Sequence, residues 1–313
     1  MKLISILISF CILLTAPFFG QIDIGILNLF NSSSSDFIVF WDIRFPRVVL
    51  AFMVGGILAL SGLVFQTIFR NPMSTPFTLG VASGATLFTA IAIVLGLTSF
   101  ISVFAFIGAV VTIITLFVIA SRFETTATSS LLLVGIALSF FYSACLMVMF
   151  FISDLHESYE IVRFTMGSLD VVGFTDVGVV SIVGVLLLVL ILKYKNELRL
   201  LLTSHEFARL KGMNLKKVNY TLLLAVSIAV GVAVSITGPI GFIGLIVPHV
   251  LKLIYKQSAE KLILPMFFYG GVFLVLCDMI ARNLGTVSDI PIGVVTSFLG
   301  APFFIYLIIK KKR

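Results

Sequence analysis

The chain has 313 residues, 60% of them apolar and 11% charged, with a formal net charge of +7 and a mean hydropathy of +1.21. Soluble domains run at roughly 45–50% apolar and about 25% charged, so a water-soluble globule is excluded, and with it the nucleic-acid binding that a basic balance would otherwise suggest. Apolar stretches over the whole length indicate an all-α polytopic membrane protein, in which Lys and Arg first report topology.

Apolar runs read against polar breaks predict ten spans near 3–20, 46–69, 78–97, 100–120, 129–151, 173–193, 221–238, 240–255, 262–281 and 292–309. The first resembles a signal peptide, but Phe18-Phe19-Gly20-Gln21 is no small-x-small cleavage site, so an uncleaved span is expected. A connection over 21–45 follows, broken by Ser32-Ser33-Ser34-Ser35, and Trp41 near its end fits an interfacial anchor.

Arg44-Phe45-Pro46-Arg47 opens the second span, with proline in the first helical turn. Its two arginines sit at the helix end where the dipole disfavours cations, which points to an outward-facing function; headgroup anchoring or a local pair with Asp42 is the alternative. Arg282, at the end of the ninth span, is a third such cation. Gly80 and Gly84 share one helix face and allow close contact, and Gly55-Gly56 and Gly270-Gly271 read as packing positions. The eighth span begins at Gly238-Pro239 and meets Pro248 soon after, so a short or broken helix inside the bundle is expected.

With both termini cytoplasmic, the inner side collects 17 of the 21 Lys and Arg, and the outer side keeps Arg44, Arg47, Arg163 and Arg282. That asymmetry supports the ten-span, N-in/C-in topology independently of hydropathy. The 4 inner acids leave +13 inside, and the 10 outer acids leave −6 outside, which together give the net +7. The longest inner connection, 194–220, carries Thr203-Ser204-His205-Glu206-Phe207-Ala208-Arg209-Leu210-Lys211-Gly212, which reads as N-cap, short amphipathic helix and terminal glycine. An exposed helix on the cytoplasmic face is what a docking element for another protein looks like.

No HExxH, GxSxG or GxGxxG occurs, and no lysine precedes Ser or Thr, which excludes a GxxxxGK[ST] phosphate loop. Cys11, Cys145 and Cys277 lie singly in apolar runs, and His156, His205 and His249 are far apart, so no metal site is expected. The spans carry few ionisable groups, whereas proton- or sodium-coupled carriers hold them near the midplane. The energy for transport is therefore expected from outside the chain. A membrane-embedded enzyme and a stand-alone secondary transporter are the rivals from other classes.

Six strings in order now carry a resemblance: Arg44-Phe-Pro-Arg47, Ala59-Leu-Ser-Gly62 followed by Gln66, Arg70-Asn-Pro-Met73, Leu79-Gly-Val-Ala-Ser-Gly84, Gly238-Pro-Ile-Gly-Phe-Ile-Gly-Leu-Ile-Val-Pro-His249, and Pro291-Ile-Gly-Val-Val-Thr-Ser-Phe-Leu-Gly-Ala-Pro302. Together they resemble the FecCD family, the permease subunits of ABC importers for iron-siderophores, haem and cobalamin. The resemblance implies a single permease domain over 1–313 in the bacterial cytoplasmic (inner) membrane. It also implies a second permease subunit, the same chain or a paralogue, with lipid around the pair, two ATPase subunits that hold ATP and Mg, and an outer substrate-binding protein. Nothing in it calls for a cofactor in this chain, a catalytic residue or a nucleic-acid partner.

It further implies that Arg44, Arg47 and Arg282 receive acidic residues of the binding protein. Glu206, Ala208, Arg209, Leu210 and Gly212 are implied in the ATPase groove, although Ser204-His205-Glu206-Phe207-Ala208 stands where the family usually reads Gly-Glu-Glu-Ala. Thr128 and Ser129 match the loop that gates the inner end of the path. Ser139, Tyr142, Ser143, Thr296 and Ser297 are taken as candidates to line it. A ferric siderophore is the expected substrate, with haem or cobalamin as alternatives.

Overall fold

The computed structural model describes residues 2–21, 24–25, 28–29, 34–121, 128–203, 205–255, 258–285 and 289–311, and among them helices are the only regular elements. In chain order these are α1 (Lys2–Thr15), α2 (Ser35–Ile38), α3 (Phe45–Phe69), α4 (Val81–Val94), α5 (Ile101–Ser121), α6 (Thr128–Ile152) and α7 (Leu155–Met166). There follow α8 (Thr175–Lys193), α9 (Lys195–Thr203), α10 (His205–Leu210), α11 (Leu215–Thr237), α12 (Ile243–Tyr255), α13 (Ala259–Leu284) and α14 (Ile292–Lys311). Each predicted span contains an apolar helix. The helices in α2–α3, α5, α6, α8, α11 and α13 are long enough to cross a membrane, whereas those in α1, α4, α12 and α14 are shorter.

The second span begins earlier than the sequence indicates. Pro46 does not open the helix, because α2 runs into a wider turn over Val39–Arg44 that continues directly into α3. Proline has no N–H to donate to the carbonyl four residues back, so the chain widens: the Phe45 amide reaches the Phe40 carbonyl, five residues away. The released Asp42 carbonyl accepts instead from the Gly173 amide at 2.7 Å. The continuous helix Ser35–Phe69 has 35 residues, about 52 Å at 1.5 Å per residue against a hydrocarbon core of about 30 Å. Its far end stops where Arg70 takes the left-handed conformation at φ 48°.

α3 is buried along nearly its whole length and forms the centre of the bundle, packed on α13, α12, α8 and α11. Apolar helices gain little from water exclusion against each other in lipid, so close backbone approach holds them. Gly55 lies against the Gly270 carbonyl and Gly62 against the Gly244 backbone, and a β-carbon at either position would overlap the facing helix. The packing reading of Gly55 and Gly270 is therefore correct, as is that of Gly84, which meets Gly108 and Thr112 of α5.

The eighth span differs from expectation. The break falls over 238–242, with Gly238 at φ 66° and Phe242 at φ 67°, and Pro248 lies inside an uninterrupted α12 of 13 residues. Gln66 of α3 donates to the Gly244 carbonyl at 3.1 Å near the start of that helix and accepts from Lys252 Nζ at 3.0 Å.

Candidate functional site

Two ends of the bundle carry polar constellations. At one end, named outer from the charge asymmetry, Arg47 of α3 is the hub. Its Nε donates to Asp278 of α13 at 2.9 Å, and its Nη1 donates to both Asp170 and Asp289 at 2.7 Å. Asp278 is completely buried and also faces Arg282, one turn further along α13, with Nε and Oδ2 3.0 Å apart as an ion pair. Arg282 additionally donates to the carbonyls of Phe19 and Ala16 at 3.0 and 3.2 Å, and Arg44 to those of Phe18 and Pro17 at 3.2 and 3.4 Å. The last carbonyls of a helix lack intrahelical partners, so the two guanidinium groups cap the Pro17-containing turn that ends α1.

Arg44, Arg47 and Arg282 are all buried, and Arg47 is paired with Asp278, 231 residues away, rather than with Asp42. Arg47 and Arg282 are ion-paired with three carboxylates, Asp170, Asp278 and Asp289. Beside it lies α7, which the sequence reading treats as loop. Its signal was present: Asp154 and Glu157 form a reciprocal capping box, with the Glu157 amide 2.7 Å from Asp154 Oδ1 and the Asp154 amide 3.0 Å from Glu157 Oε2. Arg163 of α7 reaches Asp170 at 3.6 Å, and a cavity of about 350 Å³ opens between α7 and the turn after α11, lined by His156, Glu160, Arg163, Asp170 and Thr237.

At the opposite end, α9 and α10 form a two-helix element. The short helix expected over 203–212 is present as α10, closed by Gly212 at φ 78° with its amide on the Arg209 carbonyl. The element is tied to α3 by Arg70, whose Nη2 and Nε donate to the Leu201 carbonyl at 2.7 and 3.2 Å. Arg209, Leu210 and Gly212 face outward, and Leu210 is 85% exposed. Ala208 does not join them: it is fully buried against the bundle, because a helix this short turns one side inward. The Glu206 side chain lies outside the described residues.

The path candidates divide in the same way. Ser143 of α6 and Ser297 of α14 are exposed, whereas Tyr142 and Thr296 are buried and Ser139 turns toward the Gly80 backbone. Thr128 and Ser129 begin α6, but their side chains lie outside the described residues. Leu133, Phe140, Met147 and Phe151 form an outward apolar stripe on α6 at spacings of seven, seven and four residues, which keep one helix face, each at least 67% exposed.

A centrally packed bundle of apolar helices, with an ionic cluster at one end and a small helix pair at the other, defines a polytopic membrane protein. The FecCD transport family model matches residues 5–310, and the chain belongs to that family. A probable iron chelatin transport system permease protein of Helicobacter pylori is 37% identical over 280 residues, covering 89% of this chain and 85% of that one. The hemin transport system permease of Yersinia pestis is 34% identical over 305 residues, 94% and 90% of the two chains. A vitamin B12 import system permease of Yersinia pseudotuberculosis is 35% identical over 318 residues, covering 100% and 91%. Among solved structures, an inward-facing metal-chelate type ABC transporter superposes with a TM-score of 0.88 at 27% identity, over 97% of each chain. The protein is thus a multi-pass membrane permease of a bacterial ABC importer of the iron chelate, haem and vitamin B12 type.

Proposed function

We propose that this permease moves a ferric siderophore across the cytoplasmic membrane, paired with a second permease subunit, fed by an outer substrate-binding protein and driven by separate ATPase subunits. The observation that carries the reading is the α9–α10 element. An apolar side chain as exposed as Leu210, on a short helix fixed to the central α3 through Arg70, is suited to fill a partner's groove and to transmit its movement to the core. In this role Arg209, Leu210 and Gly212 meet the ATPase, and Ala208 seats the helix on its own bundle.

The exposed stripe on α6, with Ser143, and the exposed Ser297 on α14 are assigned to the second subunit and the path between the two. The outer ionic cluster, with Arg47 at its centre, is assigned to the binding protein. The iron chelatin permease among the relatives favours a ferric siderophore, and the hemin and vitamin B12 permeases make haem or cobalamin the second reading.

The test is uptake of labelled ferric siderophores, haem and cobalamin by a strain lacking the permease, with and without the gene restored. Gene-dependent uptake of a ferric siderophore alone is expected. Gene-dependent uptake of haem or cobalamin instead would replace the substrate assignment, and no dependence for any of them would overturn the importer reading.

A further inference from the structure

The outer cluster contains its own competitor. If Arg47 is to take a carboxylate from a docking protein, as the proposed function requires, its Nε and Nη1 are already engaged, by three carboxylates of this chain. The three differ in kind. Asp278 is fully buried and holds the guanidinium by Nε from the bundle side, whereas Asp170 and Asp289 both bind Nη1 with side chains 46% and 31% exposed. Burial makes the first contact permanent; exposure makes the other two exchangeable, since a half-solvated ion pair contributes little.

We infer that Asp170 and Asp289 are internal stand-ins for acidic side chains of the docking protein, and that docking proceeds by exchanging one or both of them off Arg47. Charge supports this. At Arg47 three carboxylates surround one guanidinium while the aspartates are in place, so an incoming carboxylate meets no unopposed charge there until one leaves. Space supports it too, because the cavity of about 350 Å³ beside Asp170 leaves room for that side chain to swing toward Arg163. The two aspartates stand on the segments that lead into α8 and α14, and Gly293 at the head of α14 packs directly on the Met166 carbonyl that ends α7. Exchange of each aspartate off Arg47 releases the tether of the segment it stands on, that leading into α8 for Asp170 and into α14 for Asp289.

The inference rests on the docking role proposed for Arg47, so the experiment separates the two. The permease–ATPase complex is reconstituted in nanodiscs, and its affinity for the importer's own substrate-binding protein is measured by surface plasmon resonance. Asp170→Asn and Asp289→Asn should each tighten binding by about threefold, and the pair by about tenfold. Asp170→Glu, which keeps the competing carboxylate, should stay near wild type, and Arg47→Ala should weaken binding. If Arg47→Ala weakens binding but the asparagine variants bind as wild type or more weakly, the self-occupancy is overturned and the docking role stands. If Arg47→Ala binds as wild type in a complex that still elutes intact, the docking role falls and this inference with it.

Discussion

Replacing Asp278 by Ala tests whether the outer cluster is a structural knot. Its carboxylate is fully buried between Arg47 Nε at 2.9 Å and Arg282 Nε at 3.0 Å. Removing one partner of a buried ion pair costs about 3–5 kcal/mol, because the remaining charge is left uncompensated. Here Arg47 keeps Asp170 and Asp289, and Arg282 keeps two backbone carbonyls, so the lower end, about 3 kcal/mol, applies. At about 2.1 cal/mol/K of unfolding entropy per residue, 313 residues give about 1.5 °C per kcal/mol, so the melting temperature should fall by about 5 °C. Thermal unfolding of the detergent-solubilised protein, followed by size-exclusion chromatography after heating, measures it. Asp170→Asn is the control, since a half-exposed pair is worth about 0–1 kcal/mol and should move the transition by less than about 2 °C. Equal shifts for the two variants would refute the reasoning that burial separates Asp278 from its neighbours.

Gly62→Ala places a β-carbon into the Gly244 backbone and should cost about 1–3 kcal/mol through separation of α3 from α12, read as lost thermal stability; Gly178→Ala, with nothing within 4 Å, should be neutral or slightly stabilising. Leu210→Ala removes apolar groups from an 85% exposed side chain and should leave the permease's own melting unchanged while weakening ATPase association by about tenfold or more, measured by co-purification at graded ATPase concentration. Ala208→Leu should do the reverse, lowering permease stability first, because that position is fully buried.

Much of this architecture is legible along the chain because membrane helices are local objects. Apolar runs mark them, Asn71-Pro72 follows the stop at Arg70, and Gly212 ends α10, each from a few neighbouring residues. The close-packing glycines are legible in type but not in partner: Gly55 and Gly270 each advertise a thin helix face, and only the fold brings those two faces together. The turn at 39–44 was hidden because Asp36, Trp41 and Asp42 read as a polar connection, and proline as a start signal. Proline starts a helix because it lacks a donor, but the same lack can be absorbed within a helix when the freed carbonyl finds another amide, here that of Gly173.

The arginines show where local reading stops. A cation at the wrong helix end is anomalous on any one-dimensional account, and the anomaly invites a partner; sequence proximity offered Asp42, and the family resemblance offered another protein. The fold supplies Asp278, Asp170 and Asp289, brought from 231, 123 and 242 residues away. Two of those three are half-exposed, and in the exchange proposed above they and an external carboxylate are successive occupants of the same donors. A guanidinium held permanently from below by a buried carboxylate and temporarily from above by solvated ones is positioned without being saturated. A free surface arginine with the same charge would have neither a fixed direction nor any connection to α13 or to the segments that lead into α8 and α14.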